Sequence, residues 1–198
     1  MPRPREFDET EVVAAARDEF WLRGYAATSV DDLTSATGLG KGSLYGAFGD
    51  KHALFLRALD DYIGTAIDGV RAQLRDPAHS AYDRLVRHIR AQARSIAADK
   101  ARRGCMMAKS AAELAATDAA VERAVEHAYT VWHAELADCI KEAQRGGAID
   151  TKQDPQALAT TLLAFIRGQE ALHKAGVKAA QLKASAEQMI SLIPTGPE

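Results

Sequence analysis

Apolar positions recur along this chain at helical spacing from residue 12 onward. Val12, Val13, Ala16 and Phe20 share one face of a helix that opens at Asp8, with Arg17, Asp18 and Arg23 opposite. Gly24 suits the left-handed position that ends such a helix. The stretch "TSVDDLTSAT" opens a second helix, with Thr28 or Ser29 as N-cap and Asp31 or Asp32 three residues on. That helix stops at Gly38, and a third begins near Lys41. Asp50 caps a fourth that runs toward Arg75 with Leu54, Ala58, Tyr62 and Ile63 inward.

Beyond "RDPAHS" a helix carries Leu85, Ile89, Ala93 and Ile96. After "KARRG" come "CMMAKSAAELAA", a Thr117-Asp118 cap and a long helix to about Arg145. Val121, Val125, Ala128, Trp132, Leu136 and Cys139 form its apolar stripe. "GGAIDTKQDP" reads as a loop, and Asp154-Pro155 opens the next helix in the favoured N-cap and first-turn order. That helix holds Leu158, Leu162, Phe165, Ile166, Gln169 and Leu172, and a last one holds Leu182, Met189 and Ile190. The pattern predicts an all-α protein of about nine helices.

The run "TSATGLGKGSLYGAFGDK", residues 34–51, holds five glycines. A P-loop needs a glycine five positions before Gly40 and a Ser or Thr after Lys41; the chain has Ser35 and Gly42 there. A dinucleotide-binding Gly-x-Gly-x-x-Gly from Gly38 fails at Ser43, and no strand precedes it. Two short helices crossing at a tight turn fit instead. Leu33, Leu39 and Leu44 give the buried spacing, Ala36 the small contact and Gly38 the turn, with Phe20, Val30 and Phe48 beneath. Lys41, Ser43 and Tyr45 then face outward from the second short helix, with Gly42 allowing backbone close to phosphate.

From Val12 to Leu56 the chain resembles the DNA-binding domain of the tetracycline-repressor (TetR) family. The resemblance rests on a helix ending in "RGY", then "TSVDDL", "TGLGKGSLY", "F" and "DKHALF". It implies a three-helix helix-turn-helix domain over residues 1–50, with the motif itself at about 29–48. Residues 51–198 would then bind an effector and dimerise. Carried over by position, Thr28 or Ser29 caps the second helix beside a phosphate. Lys41, Gly42, Ser43 and Tyr45 sit on the recognition helix, and Lys51 donates to phosphate. Gly46-Ala47 stands where the family often has an aromatic or histidine pair.

Charge changes the picture less than composition does. The formal net charge is −2, and residues 1–51 carry nine acidic against six basic side chains. DNA affinity must therefore come from placed contacts and dimerisation, with an Arg3/Arg5 arm as helper, rather than from a basic field. Aromatics make up only 6% and β-branched runs are scarce, which supports helices over strands. The chain shows no bilayer-length apolar run and no charged-then-apolar leader, so a cytoplasmic location with reduced thiols is expected. The two cysteines, Cys105 and Cys139, are too few for a disulfide framework, and the six histidines do not group as metal ligands. No cofactor, metal or catalytic constellation is read from the sequence, and no enzyme is expected.

In the second half an apolar effector pocket is expected between Met106, Met107, Trp132 and Phe165, beside Cys105. Cys105 follows "ARRG" at the start of a helix, where N–H groups and Arg102 and Arg103 favour a thiolate. A Gly-Cys at this place resembles a subset of the family in which some members sense electrophiles or oxidants, and Lys174 or His173 is expected nearby. Leu158, Leu162, Ile166, Gln169, Leu182 and Met189 are expected to face a second copy in a homodimer whose two-fold matches a palindromic operator. The resulting expectation is a repressor released from double-stranded DNA by a small apolar effector. Covalent change at Cys105 is the alternative switch, and a helical protein-interaction module without DNA binding is the alternative of another class.

Overall fold

The computed structural model describes residues 7–196. These form nine α-helices: α1 (Glu9–Arg23), α2 (Val30–Thr37), α3 (Lys41–Phe48), α4 (Lys51–Leu74), α5 (Ala81–Ala98), α6 (Met106–Leu114), α7 (Ala119–Arg145), α8 (Pro155–Lys174) and α9 (Ala179–Ser191). Among the described residues the only extended pairing is an isolated bridge between Ile149 and Thr195. No described helix is long and apolar enough to cross a membrane. The Arg3/Arg5 arm lies outside the described residues.

Local chemistry sets most helix ends. Asp8 accepts a hydrogen bond from Thr10 N at 2.8 Å and Asp154 from Gln156 N at 2.9 Å. Ser29, not Thr28, caps α2. Its hydroxyl accepts from Asp32 N at 3.0 Å while the Asp32 carboxylate accepts from Ser29 N at 2.8 Å, a reciprocal box. Hydrogen bonds from Ser29, and then the charge of Arg23, hold the Asp32 carboxyl below its ordinary range. Asp50 receives Ala53 N at 2.8 Å at the start of α4. Each such cap is worth about 1 kcal/mol. Gly38 closes α2 in the left-handed conformation, φ 69° and ψ 7°. Gly24 differs from the expectation: φ 89° with ψ 169° is an extended arrangement at positive φ that only glycine takes readily.

The chain divides into two compact units. One takes the chain to Thr65 together with Met106–Val125, and the other takes Ala66–Cys105 and the chain from Glu126. In the first, Val12, Val13, Ala16 and Phe20 of α1 are buried with Leu33, Leu44, Phe48, Leu54 and Phe55. Phe20 meets Phe55 edge-on, with ring centres 5.1 Å apart, and Tyr25 packs on Phe55 at 4.8 Å. The helix crossing therefore rests on Leu33, Leu44 and Phe48. Ala36 is exposed and Leu39 half-buried, so neither is the crossing contact that their spacing suggested.

α6 is tied to the helix-turn-helix within this unit by polar contacts. Lys109 donates to the carbonyls of Trp21 at 2.5 Å and Leu22 at 3.0 Å, at the end of α1. The Glu113 carboxylate accepts from Tyr25 N at 2.8 Å and Ala26 N at 3.3 Å. Gly24 makes room for that carboxylate, because a Cβ there would fall 2.0 Å from Glu113 Oε1. Asp118, at the start of α7, hydrogen-bonds His52 on α4, and this contact first among several lowers its carboxyl.

In the second unit α5 packs against α8 and α9. Leu85, Ile89, Ala93 and Ile96 are buried against Leu162, Ile166, Leu182 and Ala186. Leu136 and Ile140 of α7 complete this core.

Candidate nucleic-acid interface and buried polar cluster

α3 presents its outward side as the spacing predicts. Leu44 and Phe48 point into the core, Lys41 and Gly42 are exposed, and Ser43 and Tyr45 are half-buried. A Cβ at Gly42 or Gly46 would meet nothing within 4 Å, so the chain itself does not require glycine at either position. Lys51 leads α4 with its ammonium 4.4 Å from the centre of the Tyr25 ring. The Lys41 ammonium lies 6.0 Å from the centre of Tyr45. Both are within cation–π reach.

Thr28 and Ser29 divide two jobs. Thr28 is buried, and its hydroxyl donates to the Gly24 carbonyl at 2.6 Å, so it fixes the α1–α2 turn. Ser29 is exposed, but its hydroxyl already donates to Asp32 Oδ2 at 2.6 Å and accepts from Asp32 N.

The residues named for an effector pocket distribute between the compact units. Met106 and Met107 are buried and belong to the unit that holds α1, α2 and α3. Cys105, Trp132 and Phe165 belong to the other; Cys105 and Trp132 are buried there and Phe165 is half-buried. Around Cys105 the second unit is polar. Arg167 Nη1 lies 3.0 Å from Cys105 Sγ and 3.0 Å from Glu170 Oε2. The same guanidinium stacks over Trp132, 4.5 Å from the ring centre. The thiol also interacts electrostatically with Glu170 and Tyr129. Burial pushes the Glu170 carboxyl up to about 7 against the pull of Arg167, and burial first, then Cys105, raises the Tyr129 hydroxyl.

The cluster extends through Trp132, whose Nε1–H donates to His88 Nε2 at 3.2 Å. His88 Nδ1 faces Gln73 Oε1 at 2.8 Å, which requires the neutral ring with its proton on Nδ1. Burial, then the charge of Arg167, lowers His88 to about 4. Asp99 accepts from Arg103 Nε at 3.3 Å and Gly104 N at 3.2 Å, and so fixes the segment that carries Cys105. His173 meets Asp99 through the Asp99 carbonyl at 3.0 Å. Lys174 passes close to Gly104, with Cδ 3.8 Å from where a Cβ would sit. Cys139 differs: burial pushes its thiol up to about 11, and Sγ donates to the Ala81 carbonyl at 3.2 Å.

Sequence reasoning missed Arg167, Glu170, Tyr129 and His88. The sequence pattern presents α8 as an apolar face, yet Arg167 and Glu170 interrupt it three residues apart, on one side of the helix. That interruption was the available signal.

The side chains expected to face a second copy are mostly spent inside the chain. Leu162, Ile166, Gln169 and Leu182 are buried, and the Gln169 amide donates to the Leu182 carbonyl at 2.8 Å and Ser185 Oγ at 2.9 Å. Only Leu158 and Met189 of that set keep partial exposure. A different register of α8 faces outward, through Leu158, Thr161, Phe165, Gly168 and Leu172, with Leu172 50% exposed.

Comparison with known proteins agrees with this architecture. Residues 12–58 match the model "Bacterial regulatory proteins, tetR family", and residues 81–190, more than half of the chain, match "Tetracyclin repressor-like, C-terminal domain". The chain is 28% identical over 192 residues to the HTH-type transcriptional repressor ComR of Escherichia coli, covering 97% of this chain and 91% of that one. It is 35% identical over 105 residues to the HTH-type transcriptional repressor BdcR of the same organism, 53% of either chain. A cysteine mutant of the TetR family transcriptional regulator CifR, complexed with 26-bp double-strand operator DNA, superposes with a TM-score of 0.80 at 29% identity, covering 98% of this chain and 100% of that one. Escherichia coli NemR in its reduced form shares the fold, with a TM-score of 0.85 at 17% identity over 96% of this chain and 98% of that one. The chain belongs to the tetR family of bacterial regulatory proteins and is a DNA-binding transcriptional regulator.

Proposed function

We propose that this regulator is a repressor that leaves a palindromic operator when Cys105 is modified. The observation that carries the reading is the Arg167 guanidinium 3.0 Å from Cys105 Sγ, because a cation in bonding contact favours the nucleophilic thiolate. A small apolar effector fits less well beside this sulfur, since Arg167, itself paired with Glu170, lies against it and apolar surface cannot repay the desolvation of that pair. The switch has a covalent path to the reading head. Cys105 is followed directly by α6, whose Lys109 and Glu113 hold the end of α1 and the turn before α2. A modification that displaces the start of α6 shifts the population toward a state with misplaced recognition helices.

On DNA, α3 supplies Lys41, Ser43 and Tyr45, Gly42 lets backbone approach, and Lys51 and Ser29 meet phosphate. Thr28 supports that surface from beneath. The effector and dimer regions follow the reading domain, with residue 50 as the functional boundary, and the protein works in the cytoplasm as a homodimer. The dimer face is the outward register of α8. A charge at its centre, Gly168→Glu, then lowers the sedimentation coefficient to that of a monomer while helicity is kept.

Operator release is the test, on a duplex selected from random double-stranded DNA. N-ethylmaleimide releases the parent protein, and Cys105→Ser stays bound. Release of the Ser variant by the same reagent overturns the thiol switch.

A further inference from the structure

Arg84 is only 6% exposed, yet its guanidinium is incompletely paired. Among the described residues its buried Nε–H finds no acceptor, and Nη2 makes no well-aligned hydrogen bond. Its counter-ion is Glu142, whose Oε2 lies 2.5 Å from Nη2 and whose side chain is 52% exposed. A buried arginine short of acceptors is costly, and this one borders a cleft of about 870 Å³ within the second compact unit. We propose that this cleft, formed by the end of α4, the first turn of α5 and the last turns of α7, binds a small organic carboxylate. The two ligand oxygens take the Nε and Nη2 edge of Arg84. The site shares no residue with the Cys105 cluster and does not rest on the thiol reading.

Local bonds hold the walls in place. Arg84 sits in the first turn of α5, where its backbone N–H donates to the Ser80 carbonyl at 2.9 Å. Cys139 Sγ donates to the Ala81 carbonyl at 3.2 Å and so ties α7 to that turn. Arg84 is close enough to this thiol for its charge to oppose the effect of burial there. Arg75 donates from Nε to Glu135 Oε2 at 2.7 Å, which joins the end of α4 to α7. The Gln144 amide donates to the carbonyls of Asp150 at 3.0 Å and Gln153 at 2.8 Å, fixing the loop that carries Thr151. Leu74 and Cys139 supply the apolar part of the lining. Small-molecule sites usually enclose about 300–1,000 Å³, and this volume falls among them.

Charge selects the ligand. The lining holds four cations against three carboxylates. Glu135 is taken by Arg75 and Arg71, and Asp138 by Lys141 at 3.2 Å. Glu142 pairs with Arg84, which leaves the exposed Arg145 without an ion pair among the described residues. A ligand carboxylate that displaces Glu142 therefore faces two cations. Glu142 is half exposed and regains water when displaced, whereas Arg84 gains the in-plane acceptors that it lacks. A planar carboxylate fits that edge with two parallel N–H···O bonds.

The test is calorimetric titration of the full-length protein at neutral pH and fixed ionic strength. Benzoate is the probe, benzamide its uncharged isostere and inorganic phosphate the other oxyanion. Benzoate is expected to fill one saturable site, and neither benzamide nor phosphate to displace it. Arg84→Met weakens benzoate about ten-fold or more. Glu142→Gln removes the competing carboxylate and tightens benzoate by about three-fold, as expected for a half-exposed ion pair. That direction is diagnostic, because a merely structural role for the Arg84–Glu142 pair makes both variants weaken binding. If Arg84→Met does not fold, the direction with Glu142→Gln decides alone. Absence of saturable benzoate binding overturns the proposal, as does an unchanged affinity in Arg84→Met or an unchanged or weaker one in Glu142→Gln. Displacement of benzoate by equimolar phosphate overturns the carboxylate assignment.

Discussion

Replacing Gly24 by alanine tests how the reading head is fastened to α6. At φ 89° and ψ 169° a side chain is strained by about 1–3 kcal/mol whatever its surroundings. The new Cβ would also sit 2.0 Å from Glu113 Oε1 and 2.9 Å from Cδ. The carboxylate ends a flexible side chain and moves aside, which breaks its bonds to Tyr25 N and Ala26 N. Those bonds are charge-assisted but lie at an exposed site, so their loss costs only about 1 kcal/mol. Gly24→Ala is expected to cost about 3 kcal/mol in total, or a melting temperature lower by roughly 6–12 °C for a chain of this size. Glu113→Ala alone costs about 1 kcal/mol. In the double variant the clash has no partner, so the combined cost falls short of the sum by about 1 kcal/mol. Calorimetry of the four proteins at one fixed concentration measures this, since dimerisation would otherwise shift the midpoints. Additive costs would refute the reasoning, as would a Gly24→Ala cost below about 0.5 kcal/mol.

Lys51→Met is expected to weaken binding uniformly across DNA sequences and reduce the slope of log affinity against log salt by about 1; an altered sequence preference would place Lys51 at bases instead. His88, held at about 4, stabilises the fold fully above its unfolded value near ~6.5, and this contribution, about 3 kcal/mol, is lost as pH falls from there toward 4. Protonation would set a second N–H against the Trp132 donor, so His88→Gln should flatten that part of a stability–pH curve measured by urea unfolding. Gly46→His fills open space on exposed α3 and is expected to tighten operator binding without changing sequence choice, which a competition assay with point-mutated operators measures.

How much of this was legible in the chain follows from how far each interaction reaches. Helix ends were, because Asp8, Ser29, Asp50 and Asp154 act on N–H groups two or three residues away. The core of the first unit was too, since Val12, Ala16, Phe20, Leu33 and Leu44 recur at helical spacing and are buried. So was the outward set on α3, which is what remains once Leu44 and Phe48 turn inward. Periodicity places residues on a face but does not say which neighbour covers that face. On α8 two adjacent registers are both apolar, and only packing against α5 and α9 decided that Leu162 and Ile166 go inward while Phe165 and Leu172 stay out. Cys105 and Arg167 are 62 residues apart, and their 3.0 Å contact exists only because helix packing closes that distance. The sequence by itself determined an all-α protein, because local hydrogen bonds and hydrophobic period suffice for that, and its resemblance to the tetR family pointed to DNA reading. The tertiary structure decided what surrounds the thiol, because charge pairing and burial act through space and not along the chain.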